Sequence, residues 1–108
     1  MFAVTRSYTG AAALIDAMEQ RPSEVEGIMT TVPGFVSYTA VRSGDSLTTI
    51  TVCDDQAGAD ETTRRAAQWV RDNLPDAKIT PDTVRSGEVF ISLAGRPTPA
   101  MGSPAVSR

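Results

Sequence analysis

The stretch that decides the fold runs from Pro33 to Asp54, PGFVSYTAVRSGDSLTTITVCD. It repeats with period 2, the signature of a strand whose successive side chains point to opposite faces. Phe35, Ser37, Thr39 and Val41 face one way, and Val36, Tyr38, Ala40 and Arg42 the other. Past Ser43-Gly44-Asp45-Ser46 the alternation resumes, with Thr48, Ile50 and Val52 against Leu47, Thr49, Thr51 and Cys53. Glycine and aspartate between two β-branched runs make a tight turn, so the stretch predicts a β-hairpin.

On its N-terminal side, Pro33-Gly34 closes a helical region in which Ala12, Ile15, Met18, Val25, Ile28, Met29 and Val32 recur at helical spacing. Pro22 interrupts that region; it lacks a backbone donor and belongs in a first turn, so two helical pieces should meet near Gln20 and Arg21. Thr9 is the expected N-cap of the first piece. Before it, Phe2, Val4, Arg6 and Tyr8 alternate with Ala3, Thr5 and Ser7 as a first strand.

On the C-terminal side, residues 54–58 read as a loop and a helix is expected from about Ala59 to Leu74, stopped by Pro75. Asp60 and Glu61 would favour its first turn. Its buried stripe is Ala59, Thr63, Ala66, Ala67, Val70 and Leu74, with Trp69 at the edge. Residues 78–84 fit no single element, whereas Glu88 to Ala94, EVFISLA, alternates and is expected as the final strand. From Gly95 to Arg108 there are three prolines, two glycines and no period, the expectation for a flexible tail behind one domain over residues 1–94.

The order strand, helix, strand, strand, helix, strand is that of the ferredoxin-like α+β sandwich, an antiparallel sheet with helices on one face. Both faces of the hairpin carry apolar side chains, and helices bury only one. A homodimer with facing sheets around a cavity is therefore expected, with a small hydrophobic molecule as a candidate ligand.

Composition removes several function classes. The 108 residues include no histidine and one cysteine, Cys53, which excludes histidine-based triads, disulfides within the chain and the usual zinc sites. No metal or cofactor is expected. Ten basic and thirteen acidic residues give a net charge of -3, and no basic run exceeds two residues, so a nucleic-acid partner is not expected. The longest apolar run, near Gly10 to Ile15, is too short to span a bilayer. The first ten residues lack a signal-peptide pattern, so no membrane association and a cytoplasmic location are the expectations.

The candidate pocket residues are Arg6, Tyr8, Tyr38, Arg42, Trp69 and Phe90. Ligand sites join an apolar lining to a few polar groups, and a guanidinium or phenol suits a quinone-like or carboxylate oxygen. The same side chains serve equally as core, surface or interface structure. Cys53 has no activating partner and reads as an apolar filler. Asp54 and Asp55 read as solvated loop or helix-start residues. No residue is assigned as catalytic.

The element order, the Pro33-Gly34-Phe35 turn and Trp69 in the second helical region make residues Phe2 to Ala94 resemble the dimeric α/β-barrel superfamily, especially its antibiotic-biosynthesis-monooxygenase-like domains. The resemblance implies dimers whose ferredoxin-like sheets form a shared barrel. It implies varied chemistry: oxidation of polycyclic phenols without metal or flavin, haem degradation, isomerisation or dehydration. The asparagine of the polyketide oxygenases has no first-strand counterpart, since Asn73 is the only asparagine, and the haem-degrading histidine is absent; Trp69 alone carries over. The implied function is a cofactor-independent, monooxygenase-like protein for a small hydrophobic phenolic or quinol-like compound. A non-catalytic small-molecule-binding or accessory dimer is the alternative.

Overall fold

The hairpin closes as its turn residues require. In the computed structural model, which describes residues 1–95, β2 (Phe35–Ser43) and β3 (Ser46–Cys53) are joined by Gly44-Asp45. Gly44 has φ +62°, a left-handed geometry that glycine adopts without a Cβ clash and that suits the twist of a two-residue hairpin. β1 (Phe2–Tyr8) pairs with the far side of β3 and β4 (Thr83–Glu88) pairs with β1, so the antiparallel sheet has the order β2-β3-β1-β4. α1 (Ala12–Gln20), α2 (Pro22–Thr30) and α3 (Gln56–Asn73) cover one face. This is the ferredoxin-like sandwich.

The helical region breaks where proline demands it. Pro22 occupies the first turn of α2, and the Arg21 N–H bonds back to the carbonyls of Ala17 and Met18. The start of α1 departs from expectation. The Thr9 hydroxyl donates to Asp82 at 2.7 Å and caps nothing. Instead the Ala11 N–H bonds the Asp45 carbonyl at 2.7 Å, tying the helix start to the hairpin turn. α3 begins three residues earlier than Ala59 because Asp55 is its N-cap, its Oδ1 accepting from the Gly58 N–H at 2.9 Å.

The last strand lies earlier than the hydrophobic alternation predicts. It spans Thr83–Glu88, exposed throughout, with Ser7 opposite Thr83 and Phe2 opposite Glu88. Pairing depends on backbone partners, and β1 runs out: the Val89 N–H meets the Met1 carbonyl at 2.9 Å, the end of the ladder. The apolar EVFISLA segment therefore extends past the sheet, with Phe90 and Leu93 each 91% exposed. The expectation for residues 96–108 lies outside the described residues.

A bulge at Val36 corrects the reading of the hairpin faces. The register shifts between Phe35 and Ser37, leaving Phe35 opposite Cys53 and Tyr38 opposite Thr51. Directly paired residues share a face, so Phe35 joins Tyr38 and Ala40 on the helix side. That side packs Tyr8, Ala11, Leu14, Ile15, Leu47, Trp69 and Val70 into the core. On the open face, Thr39, Ile50, Thr5 and Arg85 form one cross-strand row and Val41, Thr48, Ser7 and Thr83 the next. Arg85 is the only charge in these rows, and Val41 and Ile50 are 48% and 37% exposed.

Candidate functional site

Arg6 stands in the middle of β1 on the helix-covered face, 2% exposed. Its Nε donates to Thr49 Oγ1 at 3.3 Å, Nη2 to Thr51 Oγ1 at 2.8 Å and Nη1 to Thr63 Oγ1 at 2.7 Å. Thr49 and Thr51 come from β3, which the register brings beside β1; Thr63 comes from α3. A guanidinium has five N–H donors, so two Nη hydrogens have no acceptor among the described residues. The ion pairs among those residues, Arg42–Glu19, Arg64–Glu61 and Arg65–Glu61, do not include Arg6. Burial pushes its pKa down, with nearby Tyr8 and Tyr38 opposing, yet arginine starts so high that it stays charged. The site is a buried cation solvated only by hydroxyls.

Two phenols stand close to it. Tyr8 lies two residues along the same face of β1 and is buried; burial raises its pKa and Arg6 offsets part of the rise. Tyr38, half-buried on β2, is pushed up to about 12, chiefly by burial. Both therefore remain neutral hydrogen-bond donors at neutral pH. Because Tyr38 holds its proton more tightly folded than unfolded, its contribution to stability is intact below pH 10 and is lost as pH rises through about 12. Tyrosinate absorbance should accordingly show a midpoint near 12 that disappears in Tyr38→Phe. A midpoint near the ordinary tyrosine value of 10 in the folded protein would contradict the burial.

Trp69 is buried on α3, its Nε1–H donating to Glu24 Oε1 on α2 at 3.1 Å. It bridges two helices over the inner end of the site. Asn73 is committed elsewhere in the same seam: its Nδ2 donates to the Trp69 carbonyl, and its Oδ1 accepts from Arg21.

An apolar groove leads to this cluster. It encloses about 630 Å³ between α1–α2 and β2, walled by Met18, Val25, Met29, Phe35, Tyr38 and Ala40. Met18, Val25, Met29 and Tyr38 also line an inner pocket of about 30 Å³ that ends on Arg6, Tyr8, Thr49 and Trp69. That space exceeds the roughly 10–15 Å³ needed to hold one water, so the inner end has room for a small polar group. Glu19 and Glu26 stand along the outer groove, whereas no carboxylate lines the inner pocket. Among the described residues no three His, Cys, Asp or Glu side chains gather as a metal site. No helix among them is long and apolar enough to cross a membrane.

Four of the six sequence candidates, Arg6, Tyr8, Tyr38 and Trp69, thus meet at one pocket. Arg42 does not; its Nη1 pairs with Glu19 at 2.9 Å on the surface. Phe90 lies past the end of β4 and lines neither the groove nor the inner pocket. The cavity also lies between helices and sheet, not on the open sheet face where facing subunits would enclose it. Two short helices meeting at Arg21-Pro22 leave β2 partly uncovered, and the groove is that gap. Sequence reasoning missed the threonines. Thr49 and Thr51 had a signal, two hydroxyls on the period-2 face that also carries Leu47 and Cys53; Thr63 stands on the expected buried stripe, but nothing local ties it to Arg6, 57 residues away in sequence.

Neither a protein-family model nor a curated protein matches the sequence. Solved structures share the architecture. An antibiotic biosynthesis monooxygenase is 17% identical, with a TM-score of 0.56 over 84% of this chain and 100% of its own. SnoaB, a cofactor-independent oxygenase from Streptomyces nogalater, is 20% identical, with a TM-score of 0.54 over 87% of this chain and 95% of its own. The chain shares the ferredoxin-like fold of these structures. A dimeric ferredoxin-like protein from an uncultured marine organism is also similar, at 8% identity and TM-score 0.58 over 87% of this chain and 97% of its own. Within this shared fold, the groove and the Arg6 cluster are features of the chain's own side chains. At such identities the likeness carries the fold and not the chemistry.

Proposed function

We propose that the protein is a cofactor-independent, monooxygenase-like enzyme that takes a small hydrophobic phenolic or quinol-like compound in anionic form. The observation that carries this reading is the uncompensated guanidinium at the inner end of an apolar groove. An aromatic ring fits the groove walls, and its oxygen fits the inner pocket against Arg6, Tyr8 and Tyr38. A buried cation lowers the pKa of a phenol placed beside it, so the ring binds as an electron-rich phenolate. The ionised ring can then donate an electron to dioxygen in a site from which water is excluded. For a phenol with a free para carbon the atoms balance: one oxygen atom becomes the new carbonyl, and the other leaves as water with the ring and hydroxyl hydrogens.

The working unit in this reading is a homodimer joined through the open sheet face. Support comes from the single charge across its rows, from exposed Val41 and Ile50, and from the dimeric protein of the same fold. A binder without turnover is favoured by one observation: the inner pocket contains no carboxylate or histidine to accept a proton at neutral pH. Oxygen uptake with 1-naphthol separates these readings. One dioxygen consumed per 1,4-naphthoquinone formed, in a protein sedimenting at twice the 11.4 kDa chain mass, is the expected result. Naphthol binding without uptake leaves only the carrier reading; no binding overturns both.

A further inference from the structure

Arg6 is reached from two sides. Away from the groove, a second cavity of about 310 Å³ opens between α3, β1 and residues 78–81. Its walls include Ala67, Val70, Leu74, Ile79 and Pro81, and its charged lining is Arg6, Arg71 and Lys78 with no carboxylate. In a chain of net charge -3 that is a local inversion of sign. None of the three cations forms an ion pair among the described residues. Arg71 donates to Gln68, at 2.9 Å, and to no other side chain among the described residues. Asp76 and Asp82 flank the segment in sequence but neither lines the cavity, and Asp82 accepts the Thr9 hydroxyl at 2.7 Å. The segment 96–108 holds no aspartate or glutamate. Thr63, which receives the Arg6 Nη1 bond, lines this cavity too, so the guanidinium borders it as well as the inner pocket.

We propose that this second cavity binds a small organic carboxylate with an apolar body, such as an aryl carboxylate. The carboxylate is held by Lys78 and Arg71 at the rim and by Arg6 within, and the apolar body rests on Val70, Leu74 and Ile79. A bare inorganic anion fits less well, because most of the wall is hydrocarbon and offers it no donors. The site shares Arg6, Tyr8 and Val70 with the inner pocket but none of the outer-groove walls, and it stands whether or not phenols are turned over.

Titration calorimetry with benzoate on the full chain tests it. Benzoate should bind at low ionic strength, weaken with added salt, and weaken roughly tenfold or more in Lys78→Gln/Arg71→Gln, as expected for the loss of two charge-assisted contacts. Both residues are exposed, so this variant should melt with the wild type. Ala40→Trp, which fills the outer groove, should leave benzoate affinity within about twofold. Unchanged affinity in the double variant overturns the proposal, as does loss of binding in Ala40→Trp. Inorganic phosphate binding as tightly as benzoate overturns the ligand class, and no heat with benzoate at about 10 mM overturns the site.

Discussion

Replacing Arg6 with methionine is expected to weaken phenolate binding by one to two orders of magnitude while leaving the melting temperature unchanged or higher. The two effects are opposite in sign because the guanidinium is buried without a counter-charge. Removing a charge from water costs several kcal/mol, and threonine hydroxyls return only part of that. Methionine fills similar volume with no desolvation cost, and Thr63 keeps its bond to the Ala59 carbonyl. Thr49 and Thr51 each lose one accepted bond, a smaller loss. The balance should fall between zero and about 2 kcal/mol in favour of the variant, or up to ~16 °C in Tm. Binding should fall by roughly 10- to 150-fold, the worth of one hydrogen bond to a charged group. Thermal melting and anaerobic naphthol titration read the two halves. A lower Tm with intact binding would make Arg6 a structural residue and remove the basis of the proposed function.

Replacing Trp69 with alanine is expected to be the most destabilising single change at the site, by about 3–5 kcal/mol. The indole is buried, belongs to the main core cluster and ties α3 to α2 through Glu24. Its removal also joins a new void to the inner pocket, so the walls cannot collapse onto it without closing the site. For a domain of this size the loss corresponds to a fall in Tm of more than ~12 °C. Trp69→Phe retains most of the packing and loses the Glu24 bond, and should cost about 1–2 kcal/mol. Because Trp69 is the only tryptophan, unfolding is best followed by circular dichroism. If alanine is tolerated within about 1 kcal/mol while ligand affinity collapses, the indole is a stacking platform and not a core residue.

Both results bear on what could be read in advance. The hairpin, the break at Pro22 and the element order were legible because they depend on local rules: period-2 alternation, glycine in a tight turn, a proline without an N–H. The same locality explains the misreadings. EVFISLA has a better strand pattern than TVRSGE, yet β1 offers backbone partners only to Thr83–Glu88. Asp55 and Thr9 are both cap-type residues; Asp55 caps Gly58 locally, whereas Thr9 is taken by Asp82 far along the chain. The Val36 bulge moved Phe35 to the opposite face, which no count of alternating residues detects.

By itself the sequence determined that Arg6 and Tyr8 share one face of a strand, that a hairpin stands at the centre, and that a chain without histidine has few routes to general base catalysis. Only the tertiary structure decided that Arg6 is buried, that its partners are three hydroxyls and no carboxylate, and that cavities reach it from two sides. The physical reason is that periodicity assigns a direction to each side chain along its own strand. Charge compensation, in contrast, is set by what β3 and α3 bring within hydrogen-bonding distance after the chain has folded.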